Sequence, residues 1–345
     1  MPAATITGWG RAVPDRVVTN EELADSLGVD TDWIVRRTGI RERRIAGPHE
    51  RTSSLAVRAG KRALARAGVQ PQDLDLVVVA TTTPDRMCPA TAPLVQLALG
   101  AGKAGAFDLN AACAGFMHGL AVCSSFIASG AMRRCLVIGA EVLSRFVDWN
   151  DPSTCVLFGD GAGAVVLERT DEAAGLLSVD LGADGTGYSL ITIPAGGSER
   201  PASAATLEEG HLIHMDGREV FRAAVRTMAA SSERALRDAG LEPADIDLFI
   251  CHQANQRIVS ACAERLGLDN ERVVSNVARY GNTSAASVPI ALSEAADEGR
   301  LQPGSTLVLT AIGAGLVWGT GVVRWTAPAV RDGERASDML VGTTP

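Results

Sequence analysis

The run Asp108-Leu-Asn-Ala-Ala-Cys113-Ala-Gly115-Phe-Met-His-Gly119-Leu sets one thiol among small residues, where an apolar strand pattern (105–110) gives way to a helical one (116–128). A cysteine at a helix N-terminus faces unpaired backbone N–H groups and the positive end of the macrodipole, which favour thiolate over thiol. The flanking Ala and Gly residues leave room for an acyl group, and the Cys113 N–H is placed to bind the oxyanion that attack on a carbonyl creates. The same residues also suit a small buried cysteine that packs a helix on a strand.

Two distant stretches carry further chemistry-bearing side chains. Ile250-Cys-His252-Gln-Ala-Asn255-Gln-Arg257 closes another apolar strand, and Gly281-Asn282-Thr-Ser-Ala-Ala-Ser287 lies near the start of another helical stretch. His252 reads either as a donor or as a satisfied core imidazole at a strand end. Asn282 reads either as an amide donor or as a helix N-cap. Spacing alone does not show that Cys113, His252 and Asn282 meet.

With AACAGF, HQAN and GNTSAAS in this order, and Phe158-Gly-Asp-Gly-Ala-Gly163 between them, the chain resembles the ketoacyl-acyl-carrier-protein synthase III family of thiolase-like enzymes. The resemblance runs from about residue 4 to about residue 326. It implies a Cys-His-Asn site made of Cys113, His252 and Asn282, and an oxyanion held by the N–H groups of Cys113 and of Ala314 in Gly313-Ala-Gly315. It implies a homodimeric enzyme that moves a short acyl group from coenzyme A to Cys113 and condenses it with malonyl on an acyl-carrier protein, losing CO₂ and using no other cofactor. Trp33 and Arg37 match positions that contact coenzyme A, and Gly217, Phe221, Ala254 and Asn255 match positions along the pantetheine tunnel. Arg222, Arg257 and Arg265 match part of a basic carrier-protein docking patch, in which Glu264 replaces a lysine.

Three departures bear on specificity. Pro152 stands where the family usually has an Arg on the second face of the adenine, and loss of such a cation–π partner costs about 0.5–2 kcal/mol. Cys88 stands where the family often has a Phe or Thr reaching across the dimer interface, which implies a deeper acyl pocket beside Phe158. Ile312 replaces the Phe common before the Gly-rich oxyanion segment. Other readings of the same fold are a pathway-specific priming enzyme with an unusual starter, transfer to a non-malonyl acceptor, and a non-catalytic scaffold subunit.

The elements that must position these residues come from a duplication. Residues 63–80 align with residues 235–252 at an offset of 172, half the chain length, with eight of eighteen positions identical. Each copy reads as a helix stopped by Gly, a Pro turn and a buried strand. Helical patterns (53–67, 221–239) alternate with Val/Ile/Leu-rich strands (74–81, 135–140, 246–251, 306–312), which predicts sheets covered on both faces. The fold class is therefore α/β. The family resemblance implies a thiolase-like fold, two pseudo-twofold-related halves in α-β-α-β-α layering with the active site between them. The expected division is 1–172 for the half with the nucleophile, 173–327 for the half with the His and Asn, and 328–345 as a mobile tail.

Composition excludes other classes. The 345 residues are 46% hydrophobic, enough for a large core. No apolar run reaches the ~18 residues of a membrane span, and residues 1–11 lack a signal-peptide pattern, so a cytoplasmic location is expected. The seven cysteines form no C-x-x-C pair and fit a reducing compartment. His211 and His214 lack companion ligands, so no metal site is expected. The net charge of -8 argues against a nucleic-acid partner, and an acidic carrier protein requires a local basic patch. The Gly-rich 158–163 segment runs into an apolar strand and not a helix N-terminus, so it is no phosphate loop.

Overall fold

In the computed structural model, which describes residues 3–170 and 174–327, the duplicated stretch folds as two copies of one unit. The first copy is helix Thr52–Ala67, a 3-10 turn Pro71–Asp73 and strand Leu76–Ala80; the second is helix Gly217–Asp238, a 3-10 turn Pro243–Asp245 and strand Leu248–Cys251. Gly68 and Gly240 end the two helices at φ +66 and +71, where a side chain is disfavoured. Asp75 N–H donates to Arg134 O and Asp247 N–H to Thr306 O, each at 3.0 Å.

Two sheets follow from the duplication. The first has five strands in the order Ala3–Ala12, Gly161–Thr170, Arg134–Glu141, Leu76–Ala80, Gly105–Leu109, and the second has four in the order Gly175–Ala183, Val317–Arg324, Thr306–Gly313, Leu248–Cys251. The strands nearest each duplicated unit pair in parallel and the others antiparallel. The fifth strand of the first sheet has no mate in the second, where the residues at the same offset form the short helix Val277–Tyr280.

Alternation along the strands builds five layers. Val77, Val79, Leu136 and Ile138 face Leu55, Ala59, Ala63, Val95 and Leu99 of the outer helices Thr52–Ala67 and Thr91–Leu99. Leu76, Val78 and Val137 point the other way, onto Phe116, Leu120, Val288 and Leu292 of two central helices, Gly115–Ala128 and Ser287–Asp297. Leu248, Ile250, Leu307 and Leu309 of the second sheet close that central core, and its far face packs on helices Gly217–Asp238 and Gln256–Arg265. Both sheets are thus covered on both faces, as the sequence predicts. Each fully buried aliphatic side chain contributes about 1.5–3 kcal/mol, so the central layer fixes the spacing between the sheets. The stretch expected to be a tail, 328–345, lies outside the described residues.

Candidate functional site

Each central helix is entered through a 3-10 turn, Ala112–Ala114 before Gly115 and Ser284–Ala286 before Ser287. The first residue of each turn has positive φ without being glycine, Ala112 at +46 and Ser284 at +50. Such a conformation is costly for an L residue and persists only where surrounding packing imposes it. The turns pack on each other, and the strand Thr306–Gly313 packs on the first. At Gly139 a Cβ would lie 2.2 Å from Ala285 O, and at Gly313 one would lie 2.5 Å from Cys113 N, so only glycine allows these backbones to approach.

Cys113 therefore sits where the halves meet. Its Sγ is 3.3 Å from the Ser284 hydroxyl, and Ser284 Oγ is 3.1 Å from Oε1 of Glu141, the last residue of strand Arg134–Glu141. Burial pushes the Cys113 thiol up to about 11, the Ser284 hydrogen bond opposes that, and the nearby Glu141 carboxylate adds to it. This overturns the expectation of a resting thiolate: desolvation outweighs the favourable backbone groups at the helix entrance. At physiological pH Cys113 is therefore a thiol.

Asn282 is 7% exposed and is fixed on both sides. Its N–H donates to Leu157 O at 2.7 Å and its O accepts from Gly159 N–H at 3.0 Å, so the Gly-rich loop carrying Phe158 runs parallel to it. Its side-chain Oδ1 accepts from Ser284 N–H at 2.9 Å, a local turn before the 3-10 segment whose cap position is Thr283, so Asn282 is not the helix N-cap, and the N–H₂ end of the amide is its donor end. His252 follows strand Leu248–Cys251, and its N–H donates to Thr310 O on the strand whose end reaches Cys113. The ring is 3% exposed, and its Nδ1 has no partner among the described residues. That is not a satisfied core histidine. Burial pushes this imidazole down to about 4, so it is neutral at physiological pH.

The remaining predicted residues are distributed around this centre. Phe158 and Ile312 are buried, and Ala314 is partly exposed just beyond Gly313. Cys88 is exposed, on the segment between strand Leu76–Ala80 and helix Thr91–Leu99, beside the exposed Met87. The Arg37 guanidinium lies over the Trp33 ring at 5.1 Å, so this chain's own cation covers one face of the indole. Asn255 caps helix Gln256–Arg265 and donates from Nδ2 to Arg37 O at 3.0 Å, tying the Trp33 helix (Thr31–Thr38) to the HQAN segment. Ala254 is half-buried beside it, and Gly217 is exposed at the start of helix Gly217–Asp238. Phe221 lies under Arg257 at 5.5 Å, Arg222 pairs with Glu219 at 2.9 Å, and Arg265 is exposed at the end of its helix.

Sequence reading missed Glu141 and Ser284. The signals were present: a carboxylate follows directly on the apolar run 135–140, and Ser284 lies 172 residues after Ala112. Among the described residues no group of His, Cys, Asp and Glu has the arrangement of a metal site, and no helix is long and apolar enough to cross a membrane.

Comparison with known proteins accounts for the whole described fold. Residues 107–185 match the family model for 3-oxoacyl-[acyl-carrier-protein (ACP)] synthase III, and residues 236–325 match the model for its C-terminal part. The beta-ketoacyl-[acyl-carrier-protein] synthase III of Roseiflexus sp. (strain RS-1) is 54% identical over 325 residues, covering 94% of this chain and 99% of that protein. The crystal structure of 3-oxoacyl-(acyl carrier protein) synthase III from Pseudomonas aeruginosa PAO1 superposes with a TM-score of 0.89 at 44% identity, covering 95% of this chain and all of that one (100%). The priming beta-ketosynthase of the R1128 polyketide biosynthetic pathway superposes with a TM-score of 0.88 at 38% identity, covering 94% and 97%.

Proposed function

Because this chain belongs to the 3-oxoacyl-[acyl-carrier-protein] synthase III family, we propose that it starts acyl chains by decarboxylative condensation of a short acyl-CoA with malonyl-acyl-carrier protein through an acyl-Cys113 intermediate. The observation that carries this reading is the meeting of the Cys113 turn with the Ser284–Ala286 turn behind Asn282 and with the strand that also holds His252. Cys113 Sγ attacks the thioester carbonyl, its proton leaves with the departing coenzyme A thiol, and the acyl group is held as a second thioester. Splitting the reaction in this way gives ping-pong kinetics. Malonyl-carrier protein then enters, and loss of CO₂ leaves an enolate whose oxygen accepts from a neutral His252 N–H and from the Asn282 amide. Neutrality matters here, since an imidazolium would protonate the carbanion instead of holding its oxygen. The carbanion attacks the acyl-Cys113 carbonyl, the N–H groups of Cys113 and Ala314 hold the oxyanion, and Cys113 departs as thiolate.

The partners follow the same logic. Trp33 and Arg37 are read as the coenzyme A contacts, with Gly217, Phe221, Ala254 and Asn255 along the pantetheine arm, and Arg222, Arg257 and Arg265 facing an acidic carrier. A homodimer is supported by the first sheet's edge strand, Gly105–Leu109, together with the exposed apolar side chains Met87, Leu94, Leu97 and Phe107. In this reading Cys88 reaches its acyl pocket only in the dimer.

Intact-protein mass after incubation with acetyl-, isobutyryl-, hexanoyl- and benzoyl-CoA, beside Cys113→Ala, tests the first step. A selective acyl mass gain in the parent alone, followed by its loss to a 3-oxoacyl-carrier product when malonyl-carrier protein is added, is the expected result. Absence of any Cys113-dependent acyl mass overturns the coenzyme A donor. Acyl transfer without loss of CO₂ overturns the condensation.

A further inference from the structure

Glu141 is a fully buried carboxylate, 0% exposed, without an Arg, Lys or His partner among the described residues. Such a charge is costly unless hydrogen bonds replace its water. Here Oε2 accepts from the Thr81 hydroxyl (3.2 Å), from Thr83 N–H (3.1 Å) and from the Thr83 hydroxyl (2.6 Å). Oε1 accepts from the Thr82 hydroxyl (3.0 Å) and from Ser284 (3.1 Å), and Thr82 N–H bridges both oxygens. Burial raises its pKa and these donors oppose the rise. Five of these side-chain and backbone donors come from three consecutive threonines, a built receptor for this one group, and only Ser284 links it to the reacting sulfur.

The Ser284 hydroxyl has one hydrogen and lies within reach of two acceptors, Glu141 Oε1 and Cys113 Sγ. We infer that Ser284 is a further catalytic residue, donating its hydrogen to the Cys113 sulfur whenever that sulfur carries negative charge, and that Glu141 is the positioning residue that holds this hydroxyl and competes for its hydrogen. With Cys113 as a thiol or thioester, the hydrogen points to Glu141. When Sγ becomes a thiolate, in attack and again on expulsion after condensation, a rotation about the Cβ–Oγ bond delivers it to sulfur. Ser284 also holds a φ of +50, a conformation that persists only where the surrounding packing imposes it. The elements packed around Cys113 contribute few other titratable groups. These are Glu141, the neutral His252, His118 on the following helix, whose Nδ1 is 3.1 Å from Ala114 O, the buried Cys123 further along that helix, and Arg324 at the far end of strand Val317–Arg324; the turn Ser284–Ala286 and the strand Thr306–Gly313 contribute none.

The inference rests on Cys113 as nucleophile, but its test needs no acyl donor. Iodoacetamide alkylation of Cys113, mapped by peptide mass between pH 6 and 10.5, reads the thiolate directly; the Sγ–C bond forms, iodide leaves and the thiol proton passes to solvent. Ser284→Ala loses a donor to the charged sulfur, so its profile moves to higher pH and its rate at pH 8 falls about tenfold or more. Glu141→Gln loses a competing negative charge, so its profile moves to lower pH. A purely structural role would not separate the two in opposite directions. Coincident profiles for Ser284→Ala and the parent, an unmoved Glu141→Gln profile, or shifts in one direction overturn the inference. Ser284→Ala removes a single oxygen, so the sulfur contact is decided even where Glu141→Gln does not fold. If the profiles separate while no coenzyme A thioester labels Cys113, the proposed reaction fails and the inference stands.

Discussion

Gly313→Ala tests whether the approach of strand Thr306–Gly313 to the Cys113 turn is required for chemistry. The added Cβ would lie 2.5 Å from Cys113 N and 2.9 Å from Ala112 Cβ, where ordinary contact begins near 3.4 Å. The turn or the strand must therefore retreat by about 0.9 Å, and the struck atom is backbone, which has no rotamer to yield. Overpacking of this kind costs about 1–3 kcal/mol of stability. A misplacement near 1 Å in a catalytic group costs roughly 10²-fold, and the Cys113 N–H is the proposed oxyanion donor, typically worth ~10²–10³ in rate. The expected outcome is a folded protein whose Cys113 acylation by acyl-CoA, followed by intact mass, slows at least ~10²-fold. Gly102→Ala, where nothing lies within 4 Å of the new Cβ, is the control for handling and expression. If Gly313→Ala keeps its fold and acylates within about threefold of the parent, the argument from close approach is wrong.

Other expectations concern the remaining groups. The His252 imidazole, neutral down to about pH 4, should show no titration of its Cε1–H resonance between pH 5 and 8. Its linkage has a definite sign: between pH 6.5 and 4 the unfolded chain binds a proton that the folded one refuses, so stability falls with pH there, by roughly 3 kcal/mol at the acid limit. Denaturant unfolding of the parent against His252→Asn across that window measures the difference, and equal pH slopes would contradict it. Asn282→Ala should slow condensation ~10²–10³-fold and acylation less. The smaller loss arises because Asn282 also orients Ser284 through its Oδ1, and equal losses in both half-reactions would refute a donor role confined to the enolate. Leu97→Asp, at a residue 73% exposed, should convert a dimer to monomer in sedimentation equilibrium, and an unchanged mass would move the interface elsewhere.

Local physics made much of the molecule legible. The strand patterns at 74–81, 135–140, 246–251 and 306–312 correspond to Leu76–Ala80, Arg134–Glu141, Leu248–Cys251 and Thr306–Gly313, each within two residues. The Gly-rich 158–163 segment runs into strand Gly161–Thr170, as its apolar continuation required. Packing between distant segments was not legible. The favourable dipole at Cys113 is a property of one helix entrance, whereas the desolvation that outweighs it depends on tertiary packing, including that of the turn Ser284–Ala286 and the strand Thr306–Gly313 on the Cys113 turn. Ser284 and Glu141 are 143 residues apart, and neither belongs to a pattern that periodicity can detect. In the proposed dimer the position of Cys88 relative to an acyl pocket depends on a second copy, which no single-chain pattern encodes.

The two turns at the heart of the molecule also bear on its history. The matched offset of 172 holds for the 3-10 turns at 112–114 and 284–286, the central helices they open, and strands Arg134–Glu141 and Thr306–Gly313. Between residues 71 and 141 and between residues 243 and 313 neither copy has gained or lost net length. At the site itself the copies differ in side chains at equivalent places: Ala112 against Ser284, Cys113 against Ala285, Glu141 against Gly313. One copy keeps the sulfur and the carboxylate; the other supplies the hydroxyl and the bare backbone. At these turns and strand ends, point changes suffice to turn two like surfaces into one asymmetric site.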